Sequence, residues 1–189
     1  MQPLPPIIGV SGTNGAGKDY LATLLHERVG YQSVSLSDIL REELTAQGKP
    51  HTRENLSALS KQIRDVMGGG GMVRKVFAKY GQDKLCITSI RTPGEAREIQ
   101  QAGGIIVWVD ADPQIRYARI MDGARGRVTD TLSFEEFQEQ QRAEMTPSQQ
   151  GGGLHMAAVR DIADISIDNN FSSLDEYAAH AIKLFGLDE

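Results

Sequence analysis

The chain has 189 residues, 40% apolar and 24% charged, with a formal net charge of −5, the make-up of one well-buried domain with room for an insertion. The negative balance argues against a broad nucleic-acid surface, so basic residues that meet phosphate must be placed locally. A single cysteine, Cys86, excludes an intramolecular disulfide, and no run approaches the ~18 apolar residues of a membrane span. The opening MQPLPPIIGV lacks a basic region and a long apolar segment, which predicts no signal peptide and a cytoplasmic location.

In chain order, Ile7–Val10 reads as a short apolar strand and Lys18–Val29 as a helix with Leu21, Leu24 and Leu25 on one face. Ser33–Ser35 is a second strand. Ser37–Gln47 is a helix with Ile39, Leu40 and Leu44 inward, capped by Ser37 or Asp38. The stretch from Leu36 to Lys84 holds helices but no strand. Leu85–Ser89 is the third strand, with Cys86 as a buried structural thiol. Gly94–Ala102 is helical after Pro93, a good first-turn residue. Ile105–Val109 is the fourth strand, with Trp108 in the core, and Pro113–Met121 the helix after it. Ser133–Met145 opens on a capping box, Ser133 with Glu136. Ile165–Ile167 is the fifth strand, and Leu174–Phe185 closes the chain behind a cap at Ser172 or Ser173.

Strands apolar on both faces, alternating with helices, predict a parallel α/β sheet with right-handed crossovers. The stretches 37–83 and 122–149 interrupt a core of 1–36, 84–121 and 150–189, and read as insertions over the carboxyl edge of the sheet, where ligands bind. Gly68–Gly71 and Gly151–Gly153 read as hinges or tight turns.

The residues that carry chemistry begin at Gly12. Gly12, Gly17 and Lys18 fit G-x-x-x-x-G-K, the pattern of a phosphate-binding loop, directly after a strand and opening a helix. Backbone N–H groups from Asn14 to Lys18 would wrap phosphates at a helix N-terminus, and Lys18 would neutralise them. The next residue should be Ser or Thr, whose hydroxyl holds Mg²⁺, but here it is Asp19. Asp38 and Arg41 lie three apart, hence on one helical face, and read either as acceptor contacts or as a cap with a solvated arginine. Arg91 follows the third strand and would point into the ligand crevice, able to hold a phosphate with two parallel bonds or to pair with Glu95. Thr88 and Ser89 offer hydroxyls at the same edge. Arg116, Arg119, Arg125, Arg127 and Arg142 concentrate basic charge that could close over a polyphosphate, with Arg116 also readable as structural. The four histidines are scattered without ligand spacing, which predicts no zinc site.

In this order the motifs resemble those of the adenylate-kinase-like branch of P-loop kinases. Asp38-x-x-Arg41 in "VSLSDILREEL" matches the segment that opens the acceptor-binding helices of adenylate kinases, and Arg91 matches their later arginine. "VWVDADPQIRYARI", an arginine-rich lid and "ADISIDNN" follow in the same sequence. Nearly the whole chain also resembles a family of archaeal and bacterial P-loop kinase-like proteins that share "SDILREEL", "SIRTPGEA" and the "SFEEF" segment. Dephospho-CoA kinases are similar at greater distance, and the Gly-Lys-Asp loop resembles those of animal phosphomevalonate kinase and phage deoxynucleoside monophosphate kinase.

The resemblance implies a three-layer α/β/α P-loop NTPase with a five-stranded parallel sheet in the order 2-3-1-4-5, a helical acceptor-binding insertion and a short lid. It implies that Gly12, Thr13, Asn14, Gly15, Ala16, Gly17 and Lys18 cradle the phosphates of ATP, with Tyr20 beside the nucleotide and Asn169 and Asn170 bordering adenine. Arg41, Arg91 and Arg142 would meet the acceptor. Lys18, Arg91, Arg119, Arg125 and Arg127 would contact the donor or the transferring phosphoryl, and Asp38 would act as base if the acceptor were a hydroxyl. Many relatives carry an Asp at the end of the third strand, where this chain has Thr88 and Ser89. An exchange is therefore expected, in which Asp19 brings the charge to Mg²⁺ and Thr88 or Ser89 the hydroxyl. The expected function is transfer of a phosphoryl group from ATP to a small phosphorylated acceptor, foremost a nucleoside monophosphate, by a monomer or homodimer. The alternatives are a dephospho-CoA-type hydroxyl kinase and a regulatory ATPase.

Overall fold

A computed structural model of the protein describes residues 4–123, 132–146 and 155–187. Five parallel strands form one sheet: β1 (Ile7–Gly12), β2 (Gln32–Ser35), β3 (Leu85–Thr88), β4 (Ile105–Asp110) and β5 (Ile165–Asp168), in the order β2-β3-β1-β4-β5. This is the expected order, and it puts β1 at the centre, paired on one side with β3 and on the other with β4. Alternation along the three central strands loads both faces. Ile7, Ile87, Ile106 and Trp108 join one core, while Ile8, Val10, Cys86, Val107 and Val109 join the other. Burial pushes the Cys86 thiol up to about 12, so it is inert as a nucleophile.

Helix α1 (Lys18–Val29) buries Leu21, Leu24 and Leu25 against the second core, where α9 (Leu174–Phe185) adds Tyr177, Ala181 and Phe185. The other face is covered by α2 (Leu36–Ala46), α3 (Arg53–Met67), α4 (Gly71–Tyr80), α5 (Pro93–Gln101) and the short α8 (Met156–Asp161). Helix α6 (Pro113–Asp122) packs on α7 (Phe134–Met145) through Tyr117, Phe134 and Phe137. The capping boxes form as expected at Ser133, with Glu136, and also at Thr92, with Glu95. Ser173 caps α9.

One expectation changes, one open alternative resolves to the tight turn, and one helix is added. Neither Ser37 nor Asp38 caps α2, because β2 runs directly into the helix and both lie in its first turn. Gly68–Gly71 is a packed turn with no slack. A Cβ on Gly69 would sit 3.1 Å from the Gly94 Cα, and one on Gly70 would sit 2.1 Å from a Glu98 carboxylate oxygen. Helix α8 was not foreseen, since six residues give too little periodicity to read. Gly151–Gly153 lies outside the described residues.

Candidate active site

The loop from Gly12 to Lys18 rises from the carboxyl end of the central strand. At Gly12 φ is +139°, and a Cβ there would lie 1.9 Å from the Val109 carbonyl oxygen. The loop is tied to β4. The Thr13 N–H donates to the Val109 carbonyl at 3.2 Å, and Thr13 Oγ1 donates to Asp110 Oδ1 at 2.5 Å. The same carboxylate accepts the Ala111 N–H at 2.8 Å and lies 3.5 Å from Arg116 Nε.

Arg116, 3% exposed, donates to the carbonyls of Ala111 at 2.6 Å and Asn14 at 3.3 Å and to Gln141 Oε1 at 2.7 Å. Its structural reading is therefore the right one: it joins the loop, α6 and α7. Arg116→Ala is expected to cost about 2 kcal/mol in chemical denaturation, the scale for leaving buried hydrogen-bond acceptors unpaired, and Arg116→Lys to recover little, because an ammonium cannot fan out to three acceptors.

On its other side the loop meets the segment after β5. Asn169 Nδ2 donates to the Ala16 carbonyl at 2.7 Å, and Asn170 Oδ1 accepts the Asp112 N–H at 2.8 Å. Gly17, with φ +99°, is the N-cap of α1, and no side chain caps it. A Cβ on Gly17 would meet Asn169 Nδ2 at 2.5 Å. Arg119 Nη2 donates to the Phe171 carbonyl at 3.1 Å. Asn169 Oδ1, Arg119 Nη1 and the Tyr177 hydroxyl are buried without a hydrogen-bond partner among the described residues. Tyr20 packs on Tyr177 with ring centroids 5.8 Å apart. Asn169, Asn170, Arg119 and Tyr20 thus gather on one flank of the loop.

The Lys18 ammonium donates to the Thr13 carbonyl, inside its own loop. Burial lowers its pKa to about 8, with Asp19 and Glu144 opposing the shift and Arg91 and Arg116 adding to it. Lys18 therefore shares its electrostatic surroundings with Arg91 and with Glu144 of α7.

Beside β3 a crevice is lined by Leu36, Ser37 and Leu40 of α2, Ser60 and Arg64 of α3, Met72 of α4, and Ser89, Arg91 and Glu95. Glu95 is its floor. It is 4% exposed, and its Oε2 accepts the N–H groups of Arg91 at 2.9 Å and Thr92 at 3.0 Å. Burial raises the Glu95 pKa, and those donors and the Arg64 charge pull it back. The crevice thus brings two guanidinium groups, of Arg64 and Arg91, to the same lining as one buried carboxylate.

Arg91 lines this crevice; its guanidinium pairs with Glu144 at 3.2 Å, while Glu95 takes only its backbone N–H. Asp38 and Arg41 pair with each other at 2.5 Å on the exposed side of α2 and are not among the lining residues. The lining side is Leu36, Ser37 and Leu40, because the α2 residues Ile39 and Leu44 fix the helix by packing inward. Arg142 is exposed, and Arg125 and Arg127 lie outside the described residues. Asp19 is exposed in the first turn of α1. Thr88 is buried, and Ser89, with φ +63°, shares a hydrogen bond with Ser35 Oγ at 3.0 Å. The carboxylate that bonds the loop is Asp110, from β4. Arg64, Gln141 and Glu144 are the contributors missed in the sequence. Only the i, i+3 spacing of Gln141 and Glu144 hinted at a shared face.

A parallel sheet in this order, with a glycine loop leading from its central strand into a helix, defines a P-loop protein of kinase-like fold. The AAA domain profile matches residues 11–136. A UPF0200 protein of Hyperthermus butylicus is 30% identical over 182 residues, 94% of this chain and 92% of that protein. A second, from Thermococcus kodakarensis, is 30% identical over 187 residues, 94% of this chain and 95% of its own. The chain belongs to the UPF0200 family of AAA-domain proteins. Among solved structures it is similar to shikimate kinase from Acinetobacter baumannii in complex with shikimate, with TM-score 0.58, 16% identity, and 95% and 92% of the two chains covered. A gluconokinase from Sinorhizobium meliloti gives TM-score 0.56, 15% identity, and 98% and 93% covered. These likenesses show the fold.

Proposed function

We propose that the protein transfers the γ-phosphoryl group of ATP to a small acceptor that already carries a phosphate, with a nucleoside monophosphate as the first candidate. The observation that carries this reading is the crevice: Arg64 and Arg91 converge on it, and Arg91 contributes to the field at Lys18 of the phosphate loop. Two guanidinium forks suit a phosphate monoester. Asp38 is held in an ion pair with Arg41, and a phosphate acceptor makes no demand on it, since a phosphate oxygen is a nucleophile that needs no base. The small-molecule kinases that share the fold support the class of reaction.

The loop fits the donor. Gly15 and Gly17 have positive φ and no Cβ, and the uncapped start of α1 presents its N–H groups and the positive end of its dipole. Asp19 follows Lys18 directly, and Asp110 bonds Thr13. Mg²⁺ takes one or two carboxylates with phosphate oxygens and waters, so this donor set fits it. When bound, the ion would offset charge on the phosphates. Lys18 would bind those phosphates, Arg91 would orient the acceptor, and Asn169 and Arg119 would hold the nucleoside side. The chemistry then needs positioning and charge neutralisation only.

The test is ATP consumption with Mg²⁺ against nucleoside monophosphates, deoxynucleoside monophosphates, dephospho-CoA and phosphomevalonate. A phosphorylated acceptor should stimulate turnover, and Arg64→Ala should raise its KM about 10- to 100-fold, the scale of a charge-assisted contact of roughly 1.5–3 kcal/mol. Slow ATP hydrolysis that no acceptor stimulates would instead indicate a nucleotide-binding regulator.

A further inference from the structure

One turn of α7 joins the two halves of the site. Gln141 accepts from Arg116 at 2.7 Å, and Arg116 donates to the Asn14 carbonyl of the phosphate loop at 3.3 Å. Three residues on, Glu144 accepts from Arg91 Nη1 at 3.2 Å. Gln141 and Glu144 thus share a helix face, one directed to the loop's support and the other to the crevice.

The two carboxylates at Arg91 differ in kind. Glu95 is buried and bound to two backbone N–H groups, so it is part of the fold. Glu144 meets Arg91 through one oxygen, at a distance longer than the ~2.7–2.9 Å usual for such a bond. The two side chains are 27% and 42% exposed, respectively. A pair of this kind shifts an equilibrium only a few-fold, so an incoming anion can replace it. Glu144 also lies within the field of Lys18. Without a ligand it supplies countercharge to both cations; with a phosphate on Arg91 it would be a like charge beside it.

We propose that Glu144 is the stand-in for the acceptor's anion and a specificity-determining residue: a ligand enters the crevice by exchanging its own anionic group for Glu144 on Arg91. The ligand class this selects is the phosphate monoester, whose dianion spans two guanidinium N–H groups where Glu144 engages one. A neutral ligand offers Arg91 nothing in exchange and leaves the pair closed. The inference rests on the reading of the crevice as the acceptor site.

Inorganic phosphate is the probe, titrated by calorimetry at fixed ionic strength into the wild type, Glu144→Gln, Arg91→Gln and the double variant, with thermal unfolding to verify each fold. Glu144→Gln keeps size and polarity and is expected to bind phosphate roughly 5-fold more tightly, the upper end for releasing an exposed pair. In the Arg91→Gln background the same change should alter affinity less than about 2-fold, because the exchange partner is gone. Unchanged or weaker binding by Glu144→Gln overturns the proposal. So does an equal gain in both backgrounds, which would make Glu144 a charge acting on the phosphate loop alone. Turnover is not involved, so this coupling can hold while the phosphotransferase reading fails, and the reverse.

Discussion

Lys18→Met is expected to lower kcat/KM for ATP-dependent transfer by about 10²–10³-fold, the loss typical of removing one preorganised donor from developing negative charge. Methionine keeps the stem and the packing, so the change isolates the ammonium. Burial has already lowered this group to about 8, against an ordinary value of 10.5. Polyphosphate beside it favours the charged form. ATP binding near pH 8.5 should therefore take up a proton at Lys18, visible as a calorimetric enthalpy that changes with the ionisation enthalpy of the buffer. Lys18→Met should lose that uptake. Stability carries the opposite sign from a paired lysine. Between the folded value of about 8 and the higher unfolded value, the unfolded chain binds more protons, so the Lys18 contribution becomes less unfavourable as pH rises. Lys18→Met should accordingly gain stability over the wild type at pH 7, and the gain should shrink by pH 9.5. A gap that is constant with pH would show that Lys18 is not held near 8.

Gly12→Ala is expected to destabilise the fold by more than about 3 kcal/mol, or roughly 6–12 °C in Tm at this chain length. A left-handed backbone is one source of the cost, since φ is +139° there. The larger source is steric: the new carbon would need the space of the Val109 carbonyl, 1.9 Å away, and that carbonyl accepts the Thr13 N–H. Relief requires β1 and β4 to part at the point from which the phosphate loop springs. Gly30→Ala is the natural control. It too has positive φ, at +75°, but nothing lies within 4 Å of its Cβ position, so only the backbone term of about 1 kcal/mol applies. Equal losses in the two variants, read by denaturant titration, would assign the effect to conformation and not to crowding.

The three central strands were legible in the sequence because β1, β3 and β4 are short apolar runs buried on both faces, whereas the edge strands β2 (QSVS) and β5 (ISID) each bury a single residue and gave a weaker signal. The loop was legible because its spacing is local: Gly12, Gly17 and Lys18 are fixed by backbone geometry alone. The crevice was not. Arg64 sits in a helix of ordinary amphipathic pattern, and only the packing of Leu59 and Ile63 turns it toward Arg91. Asp38 and Arg41 were legible as a pair, since their i, i+3 spacing does put them on one face, where they bond each other, but spacing alone does not say that this face is exposed. Glu144 was hidden because its partner lies 53 residues away, beyond any local pattern.

The one thiol has a practical consequence. Cys86 is fully buried and its pKa is raised to about 12, so maleimides should leave the native protein unmodified. The wild type is then a ready background for spectroscopic labelling. Val66→Cys on α3 and Ala143→Cys on α7 would place two spin labels at exposed positions. Their dipolar coupling would give the α3–α7 distance before and after phosphate or nucleotide is added, without first removing a native cysteine.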